Sequence, residues 1–89
     1  MTTIKKALGL LEHFSSSKPE IGLIEFRRLS GFDKGTVHRY LTSLRYAGFL
    51  EQNQKTRAYR LGPAIIRLAA VREQTFPIVK IIAPHVDHL

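Results

Sequence analysis

Lys34, Gly35, Thr36, His38, Arg39, Ser43 and Arg45 lie together in the stretch DKGTVHRYLTSLRYAGFL, residues 33–50. Two guanidiniums, an ammonium, an imidazole and two hydroxyls are hydrogen-bond donors, most of them cationic or able to become so. Their chemistry is recognition of an anion and of polar edges rather than bond making. At about 100° per residue, Val37, Tyr40, Leu41, Leu44, Ala47 and Gly48 fall within one arc of a helix, and the polar groups fill the remainder. That polar edge carries Lys34, His38, Arg39 and Arg45 and no acid. A helix face that is merely solvated usually mixes signs, so an acid-free edge points to a polyanion. Asp33 is placed to cap the helix by accepting from the amide of Thr36 or its neighbour, and Gly48 supplies the left-handed residue that commonly ends one.

The surrounding chain must hold this helix. Its 89 residues, 44% hydrophobic, suffice for one small core but not for a buried catalytic cavity with supporting shells. Fourteen basic residues against seven acidic give +7, and residues 1–61 hold eleven of the basic and five of the acidic ones. Such a surplus attracts nucleic acid, anionic lipid or an acidic protein. No apolar run reaches the length of a membrane span and no charged leader precedes a cleavable apolar segment, so a cytoplasmic protein is expected. The absence of cysteine removes disulfide and thiolate–metal chemistry.

Residues 3–15 repeat apolar groups at Ile4, Ala7, Leu8, Leu11 and Phe14, which predicts an amphipathic first helix with Thr3 as its cap. Ser15, Ser16, Ser17, Lys18 and Pro19 predict a loop, with room for a very short strand at Ile21 and Gly22. A second helix runs from Leu23 to a stop at Gly31, with Phe32 tucked beneath it. Only a tight turn fits between Gly31 and Asp33, so the second and third helices form a helix-turn-helix with the basic helix second. Beyond Gly48 the period becomes alternating. Residues 49–52 and 57–61 predict two short strands around a turn of Asn53, Gln54, Lys55 and Thr56, with Leu50, Tyr59 and Leu61 facing the core and Lys55 and Arg57 at the tip. The expected fold is mainly α with a small β-hairpin: a winged helix-turn-helix over residues 1–61, followed by a linker helix over 62–74.

That linker starts at Gly62 and Pro63 and is apolar nearly all round, through Ile65, Ile66, Leu68, Ala69, Ala70 and Val71. Such a helix on so small a domain requires burial on two sides, one against its own core, through Ile65 and Leu68, and one against another chain. Ile66, Ala69 and Ala70 are the expected dimerisation residues. From Thr75 a further apolar repeat, Phe76, Val79, Ile82, Ala83, Val86 and Leu89, reads as the beginning of a further domain over residues 75–89.

In order and wording these segments resemble the N-terminal DNA-binding domain of the IclR family of bacterial transcriptional regulators. The resemblance is carried by KALGLLEHF in the first helix, the turn at residues 31–34, KGTVHRYLTSLRYAGFLE, and AYRLGPAIIRLAA joining wing to linker. It implies sequence-specific binding of double-stranded DNA, the helix at 34–47 entering the major groove and the wing at 53–57 on the backbone. It also implies homodimers formed partly through the linker helix, an inverted-repeat operator, and a small-molecule effector bound only by a separate C-terminal domain. Carried over by position, Lys34, Thr36 and Arg39 reach base edges or adjacent phosphates, assisted by His38 and Ser43. The sequence departs from the family pattern at Arg27, where alanine is more usual, and at Ile24, where a polar residue is common.

Each of these residues also has a plainer reading. Lys34 and Arg39 can hold phosphate rather than read guanine, and Thr36 can cap its own helix. Arg27 and Arg28 either clamp the backbone across a groove or are solvated. Tyr40 lies on the apolar arc and is expected in the core. His85 and His88 share a helical face, but without a third ligand or a cysteine they are expected at the surface rather than on a metal. No phosphate-cradling glycine loop, nucleophile motif or paired carboxylates point to an enzyme, and no cofactor is implied. The alternative function is a winged helix used for protein interaction or RNA binding.

Overall fold

The computed structural model describes residues 2–76. Helix α1 spans Thr3–Gly9 and tightens into a 3-10 turn at Leu10–His13. Strand β1 is Glu20–Ile21, α2 is Leu23–Ser30, α3 is Lys34–Tyr46, β2 is Leu50–Gln52, β3 is Tyr59–Leu61 and α4 is Pro63–Thr75. The N-cap of α1 is Thr2, whose hydroxyl accepts from the Lys5 amide at 3.3 Å, one residue earlier than expected. The expected single helix through residue 15 is also shorter and differently turned. Leu10 is fully buried and Ala7 half-buried, whereas Ile4 and Leu8 are exposed. The side that meets the core is that of Ala7, Leu10, Leu11 and Phe14, so the buried face is rotated from the predicted stripe.

The sheet has three strands in the order β1-β3-β2, all antiparallel, the short strand expected at Ile21 and Gly22 joining the hairpin one residue earlier, at Glu20–Ile21. Glu20 pairs with Arg60 and Ile21 with Tyr59, so the loop between α1 and α2 is stitched to the wing. Leu50 and Tyr59 enter the core as expected, but Leu61 is exposed because it lies at the end of β3, where the chain leaves the sheet for α4. The core is Leu10, Ile21, Phe26, Val37, Leu41, Leu44, Leu50 and Tyr59, with Leu11, Phe14, Leu23, Phe32, Tyr40 and Phe49 packed around it. Phe26 is its hub: Phe14 and Tyr59 meet its ring edge-to-face at 5.6 and 6.3 Å, the arrangement aromatic quadrupoles favour.

Two left-handed glycines frame α3. Gly31 (φ 77°) ends α2, its amide bonded to the Arg27 carbonyl, and Gly48 (φ 87°) follows the last turn of α3. Phe32 lies between α2 and α3, its ring edge-on to Tyr40 at 6.0 Å. Helix α4 departs most from expectation. Ala64 is buried and Ile65 half-buried, but Leu68, expected on the intramolecular side, is 51% exposed, and Ile66 is 74% exposed. Beyond its first turn the helix leaves the core, so no second intramolecular face exists for Leu68 to use. The expected residues of the further domain after Phe76, including His85 and His88, lie outside the described residues.

Candidate nucleic-acid interface

Helix α3 begins where Asp33 accepts from the Thr36 amide at 2.8 Å. This hydrogen bond, with the nearby charges of Arg39 and Arg27, holds the Asp33 carboxyl below its ordinary value, so the cap is ionised at neutral pH and also favours the positive helix start. Val37, Leu41 and Leu44 fasten the opposite face into the core. What remains outward is a ridge. His38 and Thr42 border the hollows on both sides of α3 and so run along its crest. Arg39 and Ser43 lean toward α1, beside Thr3, Ile4 and Ala7. Lys34 and Arg45 lean toward the wing.

The hollow on the wing side, about 800 Å³, is walled by the first turn of α2, by α3, and by Gln52, Thr56 and Arg57. It brings Lys34, His38, Arg45 and Arg57 to one concavity with Glu25 as its only acid. Arg45 is half-buried; its guanidinium lies 5.4 Å from the Tyr46 ring centre, and its buried Nε has no hydrogen-bond partner among the described residues.

The wing is held by Asn53. Its side-chain oxygen accepts from the amides of Lys55 and Thr56 at 2.8 and 3.1 Å, and its carbonyl accepts from the Arg57 amide at 2.7 Å. Gln52 braces the same turn by donating to the Arg57 carbonyl. Arg57 has a left-handed backbone (φ 67°), so it belongs to the turn and not, as expected, to the strand. Lys55 and Arg57 are both exposed.

Pairing separates the cations into two groups. Arg28 is bidentate on Glu25 at 3.0 and 2.7 Å, and Lys18 meets the same carboxylate at 2.6 Å. Those two partners hold Glu25 down to about 2. Arg60 is bound to Glu51 at 2.8 Å and lies 3.6 Å from Glu20. Among the described residues, Lys34, Arg39, Arg45, Lys55, Arg57 and Arg27 have no salt bridge to a carboxylate, and neither do Lys5 and Lys6 on α1 or Arg67 and Arg72 on α4. Of the two arginines expected to clamp a backbone, Arg27 is therefore available and Arg28 is already engaged. Thr36 is half-buried, and the cap is made by Asp33, which accepts from the Thr36 backbone amide. A Cβ on Gly35 would meet only the Asp33 carboxylate at 3.6 Å, an ordinary contact, so packing within the chain does not require glycine there.

Sequence reasoning named Ile24 only as a departure from the family pattern and Thr56 only as part of the wing, and did not single out Thr42 or Gln52. Thr42 was legible, since it repeats His38 one turn later; the others enter through the tertiary placement of α2 and the wing. The family model for the IclR helix-turn-helix domain matches residues 3–54. The chain belongs to the IclR family. It is 30% identical over 64 residues to the transcriptional regulator XynR of Escherichia coli K12, a match covering 72% of this chain and 25% of that protein. To KipR of Bacillus subtilis 168 it is 33% identical over 87 residues, covering 98% of this chain and 34% of that protein. The crystal structure of an IclR-type regulator from Silicibacter sp. TM1040 superposes with a TM-score of 0.85 at 49% identity, over 90% of this chain and 32% of that one. This chain thus spans a quarter to a third of the length of these relatives. Among the described residues no helix is long and apolar enough to cross a membrane, and no group of three metal-ligating side chains occurs.

Proposed function

We propose that this chain is the DNA-reading part of an IclR-type transcriptional regulator and binds duplex DNA sequence-specifically. The observation that carries the reading is the clustering of cations without carboxylate partners on α3 and the wing. Lys18, Arg28 and Arg60 are spent on carboxylates, while those of α3 and the wing present an unpaired positive ridge on a helix held by its apolar back. A helix of this diameter fits the major groove, where Arg39 and Lys34 can donate to guanine edges or to phosphate and His38, Thr42 and Ser43 to either. Lys55 and Arg57 on the wing then reach the backbone alongside.

Residues 1–61 form the reading domain in this proposal. The linker over 62–74 pairs with its twin through Ile66, Ala69 and Ala70, and residues 75–89 begin a domain that takes a small-molecule effector. Two-fold pairing would place two copies of α3 on one DNA molecule, so the operator is an inverted repeat with half-sites spaced near a whole number of turns, each about 10 bp. The KipR and XynR names, both of transcriptional regulators, support the assignment.

The test is a duplex titration across salt with an operator selected from random sequence. Contacts to several phosphates make log affinity fall linearly with log salt, with a slope of roughly −0.9 per phosphate; a winged helix used as a protein-binding module would show almost no slope. Arg39→Ala is expected to lose about 1 to 3 kcal/mol on the selected site if Arg39 reads a base. Unchanged binding by that variant would remove Arg39 from the interface.

A further inference from the structure

We propose that Ile24 reads a thymine methyl group, making the first turn of α2 a second specificity element beside α3. The inference rests on the DNA-binding reading above. Ile24 is 83% exposed, more than the other large apolar side chains of the described residues. It stands on the wall of the wing-side hollow, in one concavity with Lys34, His38, Thr42, Arg45 and Arg57. An isolated exposed isoleucine is ordinary on a protein surface. Its setting here is not, because every neighbour that can bind a ligand in this hollow, Glu25 excepted, offers a hydrogen bond or positive charge.

The two halves of the hollow ask for different chemistry. Its cations and hydroxyls match phosphate oxygens and the polar edges of bases. A branched alkyl group matches neither, and burying it against a phosphate would cost hydration without an exchange of hydrogen bonds. In the major groove of duplex DNA the base edges carry a single kind of alkyl group, the C5 methyl of thymine. That methyl is the complement of Ile24 within a ligand whose charge is complementary to the rest of the concavity. The neighbouring Leu23 is half-buried against the core and Glu25 is tied to Arg28 and Lys18, so both flanks of Ile24 are fixed. The side chain stands in the open and is free to make contact.

The experiment replaces thymines one at a time by deoxyuridine, which deletes only the methyl, in a duplex selected by the full chain. Dissociation constants are measured for the wild type, Ile24→Ala and Ile24→Val, with thermal melts to show that each variant folds. The wild type is expected to lose affinity about fourfold at one thymine in each half-site, the size set by burying one methyl group. Ile24→Ala should bind the thymine and deoxyuridine duplexes alike at that position, and Ile24→Val should keep most of the difference. A wild-type scan with no sensitive thymine overturns the proposal while leaving DNA binding intact, as does a penalty that persists in Ile24→Ala and so belongs to another side chain. Equal weakening of every duplex by Ile24→Ala, with a flat scan, would mean contact with the sugar backbone and overturns it too. Failure to select any duplex would overturn this inference together with the DNA-binding reading.

Discussion

Helices α3 and α4 are both 13 residues long, and they use their apolar residues in opposite ways. Helix α3 is the more polar of the two, yet it buries Val37, Leu41 and Leu44 in one stripe and leaves a clean polar ridge. Helix α4 carries more aliphatic groups, yet only Ala64 is buried, and Ile66, Leu68 and Val71 face outward. The difference is one of arrangement. A periodic stripe of three side chains anchors a helix to one core, whereas aliphatic groups spread round the circumference cannot all reach it. Apolar content therefore predicts that α4 has a partner, while apolar period predicts that α3 has a core.

The contrast is broken most directly by truncating one leucine on each helix. Leu41→Ala is expected to cost about 2 to 5 kcal/mol of unfolding free energy, because it empties a fully buried site, and Leu68→Ala to stay within about 0.5 kcal/mol. Urea midpoints for the two variants decide it, and similar losses would show that α4 is packed after all. Next in size, Ile66→Glu should leave the midpoint nearly unchanged but weaken binding to an inverted repeat on the order of 100-fold, by removing the second, intramolecular binding event. Light scattering and footprint length read this together; a full-length footprint with undiminished affinity would assign the apolar surface of α4 to something other than its twin.

A smaller effect separates the demands of folding from those of binding. Arg57→Gly relieves a left-handed backbone that disfavours a side chain by roughly 1 to 2 kcal/mol and adds flexibility to the unfolded chain worth about 0.5 to 1 kcal/mol. The variant should gain up to about 1 kcal/mol of stability while its salt slope on duplex DNA becomes shallower by about 0.9, one phosphate contact. A loss of stability would show that the arginine side chain contributes to packing the turn. The smallest effect expected is in acid. The Glu25 carboxyl, lowered from 4.5 to about 2 by Arg28 and Lys18, stabilises the fold fully above its unfolded value and progressively less as pH falls toward 2. Between these limits the wild type should lose stability slightly faster than Glu25→Gln, since the exposed ion pairs are screened by solvent. Parallel acid melts would place no stabilisation in the Lys18–Glu25–Arg28 cluster.

The parts of this fold that were legible in the sequence are those governed by local rules. Asp33 capping Thr36, the left-handed Gly31 and Gly48, Pro63 opening α4 and the stripe of Val37, Leu41 and Leu44 each depend on a few neighbouring residues. What escaped depends on distant ones. The short strand expected at Ile21 and Gly22 forms one residue earlier, at Glu20–Ile21, because Ile21 finds Tyr59, and Leu10 rather than Leu8 is buried because the face of Ala7, Leu10, Leu11 and Phe14 is the one that meets the core. Within the candidate site, the basic residues of α3 could be named from periodicity alone. The engagement of Arg28 by Glu25 was within reach, being an i,i+3 pair, but the third member, Lys18, comes from a loop. Ile24 was visible only as a departure from a family pattern until the wing closed the hollow around it.

The junction of Gly48 and Gly62 has a mechanical consequence. The Gly62 amide donates to the Phe49 carbonyl at 2.8 Å and the Ala64 amide to the Gly48 carbonyl at 2.9 Å. A Cβ on Gly62 would overlap the Gly48 carbonyl oxygen and stand 2.9 Å from the Leu50 carbonyl carbon, so the two chain segments touch backbone to backbone. The root of α4 is thereby clamped to the exit of α3, with only the buried Ala64 methyl packed against Gly48. Helix α4 projects from this clamp as a lever about 20 Å long. A rotation of about 15° at this clamp corresponds to roughly 5 Å of travel at the tip for a lever of that length.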